Sequence, residues 1–143
     1  MTLREWAYDR RAEVLEERPR AEAVQELRAV ADRQIDDAEA VRSADGRLEQ
    51  AFAACLSLAH AALMLSGYRL RKGADAHHYL LIESLEYTVG LSRREVAVLQ
   101  RTRQKRSRSM YERTGLVTAT EAEAALAAAR SLRQRFADWQ ARG

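Results

Sequence analysis

Residues 93 to 113 carry the one pattern in this chain with evident chemical content. Val96, Leu99, Arg103, Arg106 and Met110 recur at spacings of three and four, so at about 100° per residue all five project from one side of a helix. The stripe begins apolar and turns into arginine. Arginine cannot give up its charge, so a pair on the core-facing side requires a partner: a carboxylate, a phosphate, or water in a cleft. Three readings stay open here. The pair meets internal carboxylates, with Glu83, Glu86 and Glu112 as candidates; it snorkels from the end of a bundle; or it lines a phosphate-binding cleft. Arg101, Lys105 and Arg108 point roughly the other way and read as a solvated face. Tyr111 follows Arg106 by about one and a half helical turns, where it either borders the same cleft or covers the core with its hydroxyl in water.

Other residues with chemical potential are few. His77 and His78 open a helix, and adjacent histidines on a helix point in different directions, which makes them poor joint metal ligands. One of them can reach the arginine cleft; the alternative is a surface position. His60 falls on the less apolar side of its helix and reads as structural, and the lone Cys55 reads as a small buried apolar group. No glycine-rich phosphate loop and no nucleophile–base arrangement stands out, so neither a metal nor a cofactor is expected.

The elements that must position these residues are helical. Thr2 can cap a helix of about residues 3–17, which Arg18-Pro19 should interrupt. A second helix is predicted over about 20–41, where Ala23, Val24, Leu27, Val30, Ala31 and Ile35 keep helical spacing. Ser43 to Gly46 reads as a break. A third helix, about 47–66, has Leu48, Phe52, Cys55, Leu56, Ala59, Ala62 and Leu63 as its buried stripe and many alanines beside it, which marks it as central. Residues 68–76, YRLRKGADA, lose periodicity and read as an exposed basic loop. A fourth helix over about 77–89 ends at Gly90, and Ser92 caps a fifth over about 93–113. Thr118 with Glu121 fits a capping box that opens the last helix. The result is all-α: an antiparallel up-and-down bundle of five to six helices with short connections.

Composition sets bounds on this. The 143 residues suit a single domain spanning the whole chain, and 47% hydrophobic with 31% charged residues is globular rather than disordered. A formal charge of +3 is too small by itself to imply nucleic-acid binding, so distribution matters more than total. The charged N-terminus, MTLREWAYDRR, lacks the apolar run of a signal peptide, and no later segment is expected to approach the roughly 20 apolar residues of a membrane span. A cytoplasmic protein without membrane association is expected. The abundance of alanine and arginine hints at a bacterial genome rich in G and C.

At the arginine helix the chain resembles a known family. RTRQKRSRSMYERTG, from Arg101 to Gly115, followed by TATEAEAALAAARSLRQRF, is similar to the C-terminal half of HEPN-domain proteins. The preceding ACLSLAHAALMLSGYRLRKGADAHHYLLIESLEYTVG is similar to their central helical hairpin, with its tyrosine–arginine loop and its histidines. The resemblance implies a core over 47–141, with 1–42 as an N-terminal helical extension packed on it. It further implies a homodimer in which two arginine helices line a shared cleft. Many members are metal-independent endoribonucleases with a histidine four to six residues after the arginine; others bind nucleic acid without cutting it, often beside a small nucleotidyltransferase in toxin–antitoxin-like pairs. Arg106 matches the arginine, but Tyr111 stands where histidine is expected. Tyrosine, with an unperturbed pKa near 10, exchanges protons poorly at neutral pH, whereas arginine alone can hold a phosphate. The resemblance therefore implies binding of RNA or a nucleotide at Arg103, Arg106, Tyr111, Arg69 and His78, with Arg106 and Tyr111 as catalytic candidates if cleavage survives. A noncatalytic interaction module is the remaining alternative.

Overall fold

The structure is a computed structural model that describes residues 1–73, 77–111 and 115–143, without the side chains of residues 110 and 111. Its elements are α1 (Leu3–Asp9), β1 (Val14–Glu16), α2 (Ala21–Ala40), α3 (Ala44–Leu65), β2 (Tyr68–Leu70), α4 (His77–Ser84), α5 (Arg93–Tyr111) and α6 (Ala119–Ala141). Their starts follow local chemistry. The Thr2 and Ser43 hydroxyls accept the Glu5 and Gly46 N–H groups, and Ser92 with Glu95, like Thr118 with Glu121, closes a full capping box.

Helix α3 is the centre of the bundle. Leu48, Ala51, Phe52, Ala54, Cys55, Leu58, Ala59, Ala61, Ala62 and Leu63 are all buried, so the helix is covered on several sides rather than along one stripe. The alanines let α2 and α6 approach its backbone closely. By length and composition α3 is apolar enough to cross a membrane, contrary to the expectation that no segment would be; in the fold this apolarity is spent on the core. Gln34 meets Ser57 and the Ala38 carbonyl meets Arg47, so α2 and α3 run antiparallel. Arg28 with Gln140, Asp32 with Arg133 and Glu39 with Arg130 place α6 antiparallel to α2 as well. Helix α2 therefore completes the bundle and shares its one core.

The sequence-based expectation fails at the N-terminal end. Helix α1 stops at Asp9, and Val14–Glu16 pairs antiparallel with Tyr68–Leu70 in the register Val14↔Leu70, Leu15↔Arg69 and Glu16↔Tyr68. The segment expected to continue α1 and the segment expected to be a loop instead satisfy each other's backbone groups. Burial of Val14 and Leu70 favours this pairing over local helix propensity. Three residues per strand are too few to leave a period-two pattern in the sequence. Gly67, at φ +95°, turns the chain from α3 into β2. Gly46, expected to mark a break, sits inside the first turn of α3, where an added Cβ would lie 2.7 Å from Ser43 Oγ and 2.8 Å from Val41 Cγ2. Helix α4 ends at Ser84, short of the expected Val89, and the Leu85 carbonyl accepts both Gly90 and Leu91 N–H groups at 3.1 Å.

Candidate functional site

Helix α5 lies against α3 and α4 with Leu99 as the one fully buried residue among its described side chains. Its N-terminal third supplies that anchor, and its second half is polar. Arg106 turns inward to α3: Nε is 2.9 Å from Glu49 Oε2 and Nη2 is 3.0 Å from Oε1, a two-point ion pair. The guanidinium carbon also stands 5.9 Å from the Phe52 ring centroid. Of the open readings, an internal carboxylate is the one realised for Arg106, but none of the three candidates supplies it. Glu83 holds Trp6 Nε1 and Arg10, Glu86 faces Arg93, and Glu112 lies outside the described residues. Glu49 sits next to the buried Leu48, so its side chain emerges at the α3–α5 boundary.

Arg103 is held differently. Its Nε donates to Gln100 Oε1 at 2.9 Å, Gln100 Nε2 donates to the Tyr79 carbonyl at 3.0 Å, and the guanidinium stands 5.6 Å from the Tyr79 ring centroid. This relay fastens α5 to α4. His78 packs edge-on to Phe52, at 6.1 Å between centroids and 70° between planes. Burial, then the charge of Arg106, then His77 and Arg103, hold its pKa below the ordinary 6.5, with Glu49 opposing. A half-buried imidazole that is neutral at pH 7 thus stands within the field of both arginines.

Arg101, Arg103, Lys105, Ser107, Arg108 and Glu121 border an open groove of about 560 Å³ along the outer side of α5. Lys105 is less solvated than expected: its side chain is 24% exposed and its Nζ lies 3.3 Å from Glu121. The structure therefore brings Arg103, Arg106 and His78 together. It places Arg69 elsewhere, on β2, 3.3 Å from Glu17 and beside His60 and His77. The side chain of Tyr111 is outside the described residues. Sequence reasoning missed Glu49, Phe52, Tyr79 and Gln100 as neighbours of the arginines. The first two belong to a helix that the sequence does not orient relative to α5, and no local signal marks them.

Other chemistry is limited. Burial pushes the Cys55 thiol up to about 12, which leaves it unreactive. Among the described residues no group of three or more His, Cys, Asp or Glu side chains is placed to hold a metal ion. No family model, curated protein or solved structure matches the chain.

Proposed function

We propose that this protein is a HEPN-like homodimer that binds single-stranded RNA through the phosphates, along the second half of α5. The observation that carries this is the segregation of charge. Helix α5 holds seven basic residues and one acidic, leaving 17 basic against 20 acidic residues elsewhere, so a chain of net +3 concentrates its positive charge on one helix. Five of those basic residues lie between 101 and 108, and four of them, Arg101, Arg103, Lys105 and Arg108, border an open groove. Such a stripe gains affinity for RNA by releasing condensed counterions, without reading sequence. Arg103 borders the groove while fastened over Tyr79, which orients its guanidinium in advance of binding. The partner this reading implies is a second copy, with a small nucleotidyltransferase as the regulatory protein of a toxin–antitoxin-like pair.

The test is binding of a labelled single-stranded RNA to the wild type and to Arg103→Ala/Arg106→Ala. A loss of at least tenfold is expected, and equal affinity would show that the site is misassigned. A second reading, metal-independent RNA cleavage, is favoured by His78, a neutral imidazole beside two phosphate-binding side chains. There His78 would take the proton of a ribose 2′-hydroxyl as that oxygen attacks the neighbouring phosphorus, and arginine would stabilise the charge on phosphate. The P–O5′ bond would break to leave a 2′,3′-cyclic phosphate and a 5′-hydroxyl whose proton comes from water. Cleavage without added metal that disappears in both His78→Ala and Arg106→Ala would establish it; intact RNA after prolonged incubation would exclude it.

A further inference from the structure

A second basic cleft lies away from α5, between the β1–β2 ribbon, the end of α3 and the start of α4. It measures about 620 Å³, within the usual range of small-molecule sites. Leu15 and Arg69 are partners in the ribbon, so both project from the same face, the one on this cleft. Arg20, Arg69, Arg71 and Lys72 line it, and Glu17 is the single carboxylate among its lining residues. The cleft therefore carries an excess of permanent positive charge.

Two of these cations are fixed by the ribbon. Arg69 Nε stands 3.3 Å from Glu17, and Arg71 Nε donates to the Ala12 carbonyl at 2.8 Å. Arg20 and Lys72 are exposed and make no ion pair among the described residues. Opposite them stand His60 and His77. Burial, then the neighbouring His77, hold the pKa of His60 down, with Glu17 opposing. Leu15, Met64 and Leu81 supply an aliphatic floor.

We propose that this cleft binds a small organic diphosphate, its phosphates between Arg20, Arg69, Arg71 and Lys72 and its organic part on Leu15, Met64 and Leu81. Cations arriving from the start of α2 and from the ribbon can each engage a different phosphate. The aliphatic floor favours a compact apolar group over a sugar–phosphate chain, whose hydroxyls would be left unmatched there. His77 and His78, neighbours in sequence, thus serve two different sites, one on each side of α4.

Calorimetric titration of the full chain with inorganic pyrophosphate, ADP and geranyl diphosphate tests this. Geranyl diphosphate is expected to bind tenfold or more tightly than either pyrophosphate or ADP, because the floor matches its alkyl group and leaves the ribose hydroxyls of ADP without partners. Arg20→Ala/Lys72→Ala should weaken that binding at least tenfold with an unchanged melting temperature, because both side chains are exposed. Arg106→Ala should leave it unchanged, which separates this cleft from the α5 site. Pyrophosphate or ADP binding as tightly as geranyl diphosphate, retention of affinity in the double variant, or no binding heat with any probe would overturn the proposal.

Discussion

Glu49 grips Arg106 at two points across the α3–α5 boundary, Nε to Oε2 at 2.9 Å and Nη2 to Oε1 at 3.0 Å. Forked pairs of this kind are directional as well as strong, so the guanidinium is aimed by α3 rather than by its own helix. A phosphate approaching Arg106 must therefore share it with Glu49. Glu49→Gln keeps the shape and one acceptor but removes the competing charge. RNA affinity should rise several-fold while stability falls by about 1 kcal/mol, a modest loss because both side chains are partly exposed. Anisotropy titration and urea denaturation of the same variant check both halves. Unchanged affinity would remove Arg106 from the path of the phosphate.

The histidines make the fold sensitive to acid. His60 and His78 both have pKa values below 6.5 in the folded chain, chiefly through burial, so folding disfavours their charged forms. Their neutral state is free of this cost above about pH 6.5. As pH falls through that value the unfolded chain takes up protons that the folded chain resists, and stability declines until the depressed pKa is reached. Melting temperature should accordingly drop between pH 7.5 and pH 5.5 by more in the wild type than in His78→Gln. Parallel curves would mean that His78 is not held neutral by its surroundings.

Trp6 ties the N-terminal segment into the bundle. It is fully buried, its Nε1 donates to Glu83 Oε1 at 2.8 Å, and its ring stacks on Tyr87 at 6.1 Å. Trp6→Ala should cost about 3–5 kcal/mol in urea denaturation, the range for a large aromatic removed from a core. Trp6→Phe keeps most of the packing, loses the hydrogen bond to Glu83, and should cost clearly less. If Trp6→Ala is near neutral, residues 1–19 are an appendage and not part of the core.

What the sequence made legible was mainly what lies close along the chain. The caps at Thr2, Ser92 and Thr118 and the amphipathic run of α2 are local, and each is present. The β1–β2 ribbon joins segments more than fifty residues apart, and its pairing depends on α3 bringing Gly67 back to Glu17, whose N–H donates to the Gly67 carbonyl at 2.9 Å. Periodicity cannot report such a return. The inward turn of Arg106 was visible in its spacing from Leu99, whereas its partner was not, because Glu49 is distant along the chain. Arg69 illustrates the same limit: the resemblance groups it with His78, yet it lies on β2 beside Glu17, His60 and His77.

The salt dependence of RNA binding gives the sharpest test of α5 as a phosphate tracker. Each phosphate of a single strand neutralised by the protein contributes roughly −0.7 to the slope of log K against log salt. If the groove residues and Arg106 together engage about four phosphates, the wild-type slope should be near −3 by the same rule. Arg101→Ala/Arg103→Ala removes two of these contacts and should flatten the slope by roughly 1.4. Arg130→Ala is the control: this arginine lies on α6, 3.0 Å from Glu39 and away from the groove, so its removal changes the protein's charge without touching the tracked strand. A slope equally flattened by all three substitutions would show that RNA responds to net charge alone. A slope changed only by the α5 pair would place the phosphates along that helix.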